Sequence, residues 1–128
     1  MKEVVRTENA PAPFQGAPYS QAIKANGFVF VSGQLALLPG HKELVPGGIT
    51  EQTEQVLANL RAILEAAGSG LERIVKTTVF LQRLEDFAAM NEVYARHVGA
   101  APPARSTVEV AKLPSGALVE IEAVALAD

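Results

Sequence analysis

Residues 102–124 constrain the fold of this chain more than any other segment, because their pattern predicts two β-strands joined by a short turn. Along the first strand the side chains alternate between two faces, with Arg105, Thr107 and Glu109 on one and Ser106, Val108 and Val110 on the other. A two-residue period is typical of a half-buried strand. The Pro102-Pro103 pair before it cannot continue a ladder and keeps the chain extended. We therefore predict that Arg105 begins a strand and is presented from a stiff edge.

The second strand of this pair is apolar at almost every position except Glu120 and Glu122. The sequence leaves open whether Glu122 faces solvent or has a functional role. For Glu120 we favour function, because an Arg and a carboxylate on neighbouring strands could hold a small carboxylic acid and move a proton beside it. Arg binds a carboxylate through two parallel hydrogen bonds, and burial raises the pKa of a carboxyl so that it can act as base and then acid. Arg–Glu pairs across strands are also common structural features, so this pair alone does not identify a function.

Length and composition predict one domain spanning residues 1–128, with a single core. The chain is 48% hydrophobic and only 20% charged, so we expect part of its surface to meet another subunit. A net charge of −3, with scattered Lys and Arg, argues against nucleic acid as the main partner. Two Tyr, five Phe and no Trp also make a poor stacking platform for bases.

Several kinds of site and targeting segment are also disfavoured. The chain contains no Cys, so it offers neither a disulfide framework nor a thiolate nucleophile. His41 and His97 are far apart and lack the spacing of metal ligands, and we expect no metal site. Residues 1–6 carry mixed charges without a long apolar run, so we expect no signal peptide, no membrane span and a cytoplasmic protein.

The first half of the chain carries the signals of a short strand, a hairpin and a helix. Residues 2–6 predict a short strand, and Asn26-Gly27 between the β-like runs 19–25 and 28–32 predicts a hairpin with a type I′ turn. From Thr50, the predicted N-cap, an apolar period of 3.6 residues continues to residue 67 and predicts a helix.

The second half predicts a strand at residues 73–82 and a helix at residues 86–97. The strand alternates, with one face formed by Val75, Thr77, Val79 and Leu81. The apolar stripe of the helix contains Phe87, Met90, Tyr94 and Val98. Asn91 lies on the same side and must find hydrogen-bond partners, either in a neighbouring backbone or at a functional site. These elements predict an α+β domain with two helices on one face of a mixed sheet, whose other face should be an interface.

The hairpin adds two candidate binding positions. A strand that stops at Ser32-Gly33 exposes a hydroxyl group and backbone N–H groups, and Gly33 has no Cβ to keep a ligand away. The same pair would also make an ordinary β-bulge. Tyr19, placed at the start of the other arm, is either a half-buried aromatic residue or part of a pocket.

Five short segments together resemble the RidA/YjgF family. They are APYSQA at 17–22, FVSGQ at 30–34, MNEVY at 90–94, PARSTVEVAKLP at 103–114 and VEIEA at 119–123. They stand in the family's order at similar spacing and cover nearly the whole chain. The resemblance implies a chorismate-mutase-like fold, a homotrimer whose sheets form a barrel-like centre, pockets between subunits, and no cofactor.

The resemblance also implies a reaction, the hydrolysis of small 2-imino acids such as 2-aminoacrylate/2-iminopropanoate and 2-iminobutanoate to 2-keto acids and ammonia. In that reaction Arg105 would bind the substrate carboxylate, and Glu120 would activate a water and return a proton to the leaving nitrogen. The other positions implied to form the substrate site are Tyr19, Ser32, Gly33, Asn91 and Thr107. Thr107 departs from the best-known members, which often carry Cys; Thr serves as well if the position acts through its backbone carbonyl.

Two rival functions remain open at this point. A binding protein of the same fold could sense keto or amino acids without turnover, and would need Arg105 more than Glu120. A nuclease or translation inhibitor is an activity attributed to some family members, but the acidic balance of this chain disfavours it. Chorismate mutase also has a similar fold, but the sequence signature around Arg105 argues against that activity.

Overall fold

A mixed sheet of six strands with two helices on one face forms the protein in the computed structural model, which describes residues 1–127. The elements are β1 (Glu3–Val5), β2 (Ala22–Ala25), β3 (Phe28–Gln34), α1 (Ile49–Ala66), β4 (Ile74–Leu81), α2 (Phe87–Val98), β5 (Ala104–Glu109) and β6 (Val119–Leu126). The strand order is β1-β2-β3-β6-β4-β5, with β4 and β5 parallel and every other pair antiparallel. The α+β prediction is confirmed.

The first hairpin is confirmed, with one correction. Asn26 and Gly27 have φ values of 53° and 84°, the positive values that a type I′ turn requires, and they join β2 to β3 with Ala25 opposite Phe28. Strand β2 begins only at Ala22. Tyr19 therefore precedes the strand, and its predicted place within the arm is wrong.

The predicted pairing of the last two strands is wrong, because β4 lies between β5 and β6. Parallel strands need a long crossover, and α2 provides one from β4 to β5 on the helical side of the sheet. Strand β6, apolar at most positions, takes the central place, where both of its edges are hydrogen-bonded to β3 and β4. Arg105 consequently lies on an edge strand, as predicted, but not beside Glu120.

Helix α1 packs its apolar stripe onto the sheet, as its period predicts. The stripe is fully buried at Val56, Leu57, Leu60, Ile63 and Leu64. The helix begins at Ile49, and the Glu51 carboxylate accepts a hydrogen bond of 2.8 Å from the N–H of Gly48. Thr50 lies inside the first turn, so its prediction as N-cap is wrong; an acidic side chain in the first turn satisfies the free N–H instead.

Two apolar positions differ from their predicted burial. The register of β4 against β6 shifts between Ile74 and Lys76, and this irregularity leaves Val75 exposed rather than on the buried face with Thr77. Phe87 lies at the first position of α2 and is 41% exposed, whereas Met90 and Tyr94 of the same predicted stripe are buried. The stripe thus enters the core only from its second turn.

Neither helix covers the opposite face of the sheet, which we call the uncovered face; within residues 1–127 loop residues cover only part of it, around Phe80. By strand register, one row across it runs from Val4 through Ile23 and Phe30 to Val124 and Lys76. Its exposed large apolar side chains are Val4, Phe30, Val108 and Leu126. An apolar face of this extent is typical of an interaction surface. Within residues 1–127 neither helix is long and apolar enough to cross a membrane.

Candidate active site in two halves

Four of the residues predicted to form the site lie together at the end of β3. Tyr19, Ser32, Gly33 and Glu120 line a cleft of about 450 Å³. Glu120 enters it from β6, where Phe80 of β4 is its partner in register. The structure therefore brings the hairpin and the last strand to one place, as their predicted roles require. We call this cleft the carboxylate half of the site.

The glycine at position 33 allows Glu120 to lie against the backbone of β3. The register of β3 against β6 shifts between Val31 and Gln34, so the Ser32-Gly33 pair forms a bulge. A Cβ built on Gly33 would lie only 2.9 Å from Cδ of Glu120 and 3.2 Å from its Cγ. The bulge is therefore confirmed, and it does not exclude the functional interpretation, because the bulge creates the space that the carboxylate occupies.

Both hydroxyl groups of this half are held by the backbone. The Ser32 hydroxyl donates to the carbonyl of Ser20 at 2.6 Å, and the Tyr19 hydroxyl accepts from the N–H of Phe14 at 2.5 Å. The oxygen of Ser32 can still accept a hydrogen bond, and the O–H of Tyr19 can still donate one. The cleft thus offers a fixed donor and a fixed acceptor close to a carboxylate.

The environment of Glu120 favours its protonated form. Burial raises the pKa of its carboxyl above the ordinary value, and the negative charge of Glu122 raises it further. Glu122 lies two residues away on the same face of β6 and is exposed. Within residues 1–127 no hydrogen bond or ion pair engages the Glu120 carboxylate, so it is available to a water or a ligand. A half-buried carboxyl with a raised pKa suits proton transfer.

Sequence reasoning missed Gln21, which is buried beside this cleft. Its side-chain N–H groups donate to the carbonyls of Thr7 at 3.0 Å and Pro11 at 2.8 Å, and its Oε1 accepts from the N–H of Thr7 at 2.8 Å. These bonds hold the irregular segment 7–11 against the hairpin. A long amide side chain within a β-like run next to Tyr19 was the available signal.

Asn59 of α1, also missed, fixes the opposite wall. It is buried, and its Nδ2 donates to the carbonyls of Leu35 at 3.0 Å and Leu37 at 2.8 Å. Leu35 and Leu37 line the same cleft. Buried amides therefore position two of the loops that shape the carboxylate half.

The other predicted residues lie between α2 and β5. Arg105, Asn91 and Tyr94 line a cleft of about 300 Å³ that also includes Pro102 and Pro103. The guanidinium carbon of Arg105 lies 4.8 Å from the ring centre of Tyr94 and 5.6 Å from that of Phe87. No side chain among residues 1–127 forms a hydrogen bond or ion pair with this guanidinium. We call this cleft the guanidinium half of the site.

Asn91 and Thr107 carry buried polar atoms in this part of the fold. Within the described residues, neither the Oδ1 of Asn91 nor the Oγ1 of Thr107 has a hydrogen-bond partner. The alternative in which Asn91 bonds to a neighbouring backbone is therefore not met at this oxygen. The Thr107 hydroxyl is thus buried, and the residue lies on the edge strand β5.

The two halves lie on opposite faces of the sheet, as strand register alone requires. Arg105 is paired with Thr77, and Thr77 with Ala123, so these three side chains share the helical face. Glu120 lies three positions before Ala123 on a regular stretch of β6 and therefore points to the uncovered face. Within one chain, Arg105 and Glu120 cannot act on the same small molecule.

Known proteins resemble this chain in sequence and in structure. A RutC family protein of Pyrococcus horikoshii is 55% identical over 125 residues, with 98% of each chain covered. A mouse protein named 2-iminobutanoate/2-iminopropanoate deaminase is 44% identical over 126 residues, covering 98% of this chain and 92% of the relative.

Two solved structures have the same fold. A protein of Thermotoga maritima described as an endoribonuclease superposes with a TM-score of 0.94 at 48% identity, covering 100% of this chain and 99% of the other. Escherichia coli TdcF with bound serine gives a TM-score of 0.90 at 38% identity, covering 98% and 99%. The family model described as Endoribonuclease L-PSP matches residues 7–127. The chain therefore belongs to the RidA/YjgF family, some of whose members are named imine deaminases.

Proposed function

We propose that this protein is a hydrolytic deaminase that converts small 2-imino acids to 2-keto acids and ammonia. The observation that carries this proposal is the half-buried Glu120, whose raised pKa and position against Gly33 suit it to move protons in a cleft with two fixed hydroxyl groups. The activity in the name of the mouse relative supports the same reaction class.

In the proposed mechanism Glu120 acts first as a base and then as an acid. It accepts a proton from a water whose oxygen attacks the imine carbon, forming a C–O bond as the C=N electrons move to nitrogen. That proton then passes to the nitrogen, which gives a carbinolamine with an NH2 group. Glu120 next takes the proton of the new hydroxyl group and delivers it to the NH2 group, so that the C–N bond breaks and ammonia leaves as the carbonyl forms. Tyr19 donates a hydrogen bond and Ser32 accepts one, and these contacts fix the reacting atoms. No cofactor takes part in this scheme.

The substrate carboxylate is assigned to Arg105 of a second copy of the chain. Its planar fork matches a carboxylate through two parallel hydrogen bonds, and its donors are unoccupied among residues 1–127. A second copy is needed because Arg105 and Glu120 face opposite sides of one sheet. We propose a homotrimer in which one subunit supplies Arg105, Asn91 and the Thr107 backbone, and the next supplies the carboxylate half.

An ammonia-release assay tests the proposed reaction. An amino acid oxidase or a dehydratase generates imines in situ, and the release of ammonia and of the 2-keto acid is followed with and without the protein. We expect the wild type to exceed the spontaneous rate and Glu120→Gln to lose on the order of a hundredfold or more. A wild-type rate equal to the spontaneous rate would contradict the proposal.

A second candidate function is a sensor that binds a small keto or amino acid without turnover. The unoccupied donors of Arg105 and the serine bound to Escherichia coli TdcF favour this alternative. It predicts that the wild type binds 2-keto acids in calorimetry but leaves imine hydrolysis at its spontaneous rate. The nuclease activity in the family description has no comparable support, because the chain carries a net charge of −3. The cytoplasm is the compartment that we propose for either function.

A further inference from the structure

We propose that Phe87 and Tyr94 are positioning residues whose rings clamp the guanidinium of Arg105 from two sides. Among residues 1–127, the clamp leaves every N–H donor of Arg105 free for a substrate carboxylate. This inference rests on the proposed function, since it assigns how that site holds its carboxylate-binding group before the substrate arrives.

The two rings on α2 both contact the guanidinium of Arg105. Phe87 and Tyr94 are seven residues apart, which is two helical turns and a rise of about 10.5 Å. The guanidinium carbon of Arg105 lies over both rings, 5.6 Å from the ring centre of Phe87 and 4.8 Å from that of Tyr94, and this is the contact that we propose as a clamp. Asn91, one turn after Phe87, lines the same cleft.

A clamp of aromatic rings holds the cation without using its hydrogen-bond donors. A carboxylate partner would occupy the same N–H edge that must bind the substrate, and it would neutralise the charge. A ring face attracts the cation electrostatically and fixes the guanidinium plane, while the edge stays open. Within residues 1–127, no hydrogen bond or ion pair engages that edge. The side chain therefore loses rotamer freedom before the substrate binds, which lowers the entropic cost of binding.

The two rings are held in different ways, which makes the clamp testable. Tyr94 belongs to the main hydrophobic core, and its hydroxyl group hydrogen-bonds to the Thr77 hydroxyl at 2.6 Å. Phe87 is 41% exposed and belongs to neither hydrophobic cluster of buried residues. Its ring can be removed without opening a cavity in the core, so the test uses this residue.

The test replaces the Phe87 ring by an aliphatic side chain in the full-length protein. Phe87→Leu is expected to raise the Kd for 2-oxobutanoate in calorimetry by roughly three- to thirtyfold, and the KM for the imino acid likewise. The kcat and the thermal unfolding midpoint are expected to stay close to wild type. Phe87→Trp keeps a ring and should retain the affinity. Leu84→Ala is the matched control, since Leu84 is 48% exposed in the turn before α2 and is not part of the clamp.

A double-mutant comparison links the effect to the cation. In an Arg105→Gln background, Phe87→Leu should cause no further loss of affinity for 2-oxobutanoate. The affinity for the amide analogue of this keto acid should be changed by neither substitution. Unchanged affinity in Phe87→Leu, an equal loss in the Arg105→Gln background, or a wild type that binds no 2-keto acid would each overturn the clamp. A wild type that binds 2-oxobutanoate through Phe87 and Arg105 but hydrolyses no imine would overturn the proposed function alone.

Discussion

Glu120 and Glu122 occupy equivalent positions of β6 but have different surroundings. They are equivalent in the alternation of their strand, which places both on one face. The structure separates them, because Glu120 is half-buried against Gly33 whereas Glu122 is exposed. That difference depends on a bulge in another strand, which local pattern does not reveal. Tyr19, Ser32 and Gly33 were predicted at the site mainly through family resemblance, and the structure groups them with Glu120.

The raised pKa of Glu120 predicts a specific pH dependence of the reaction. Because burial and then the charge of Glu122 raise this pKa above 4.5, the base form is lost as the pH falls through the raised value. We expect the acid limb of kcat/KM to have its midpoint above 4.5 in the wild type. Glu122→Gln should move this midpoint to lower pH, since it removes the second cause. A midpoint that does not move would show that Glu122 is not coupled to the reaction.

The raised pKa of Glu120 also makes stability depend on pH, in the direction opposite to that of a carboxylate in an ordinary ion pair. A raised carboxyl pKa in the folded state favours the protonated form, so its stabilising contribution is present below about 4.5 and is lost as the pH rises through the folded value. Glu120→Gln, which resembles the protonated form, should therefore unfold at a higher temperature than the wild type at pH 7. The difference should disappear towards pH 4.

At the scale of elements, the sequence predicted each helix and strand but not the order of the strands. Hydrophobic alternation reports which side chains share a face, and this was sufficient for β3 and most of β4. It does not report which strand is the neighbour in the sheet. The β4–α2–β5 crossover makes β5 parallel to β4, and the apolar β6 then enters between β3 and β4. The prediction that β5 and β6 pair failed for this reason.

The contact between the two helices contains a carboxylate that bridges an arginine and a histidine side chain. Glu54 of α1 accepts from Arg96 at 2.9 Å and lies 2.7 Å from the Nε2 of His97, both on α2. The Arg96 hydrogen bond, followed by that of His97, lowers the pKa of Glu54 below its ordinary value. The stabilisation by this group is therefore present above about 4.5 and is lost as the pH falls through the lowered value.

Removing this bridge should have a small, salt-sensitive effect on stability. Glu54→Gln is expected to reduce the free energy of unfolding by less than about 1 kcal/mol at neutral pH, because exposed ion pairs contribute little. Urea unfolding at low and at 1 M salt measures it, and the difference should shrink at high salt. Glu65→Gln, at an exposed position of the same helix, is the control. An equal loss in both variants would show that general charge balance, rather than the bridge, is responsible.

At the scale of the whole molecule, the register of the sheet determines what one chain cannot do. Arg105 shares the helical face with Thr77 and Ala123, while Glu120 faces the uncovered side. In the proposed trimer, a second copy rests on the apolar face that surrounds Glu120, and its contact brings another chain's Arg105 to the carboxylate half. Composition predicted such a surface in general, but only the strand order and register place Arg105 and Glu120 on opposite faces of the sheet.

The proposed assembly makes a quantitative prediction for mixed trimers. The Arg105→Gln and Glu120→Gln chains are co-expressed with different tags. Purification through both tags then retains only trimers that contain both variants. If each site takes Arg105 from one subunit and Glu120 from the next around a threefold ring, every mixed trimer has one intact site, hence about one third of wild-type activity. Each variant alone should be nearly inactive, and sedimentation should give three chains per particle. No recovery of activity in a stable mixed trimer would show that Arg105 and Glu120 of different subunits do not share a site, and a monomer at micromolar concentration would contradict the assembly itself.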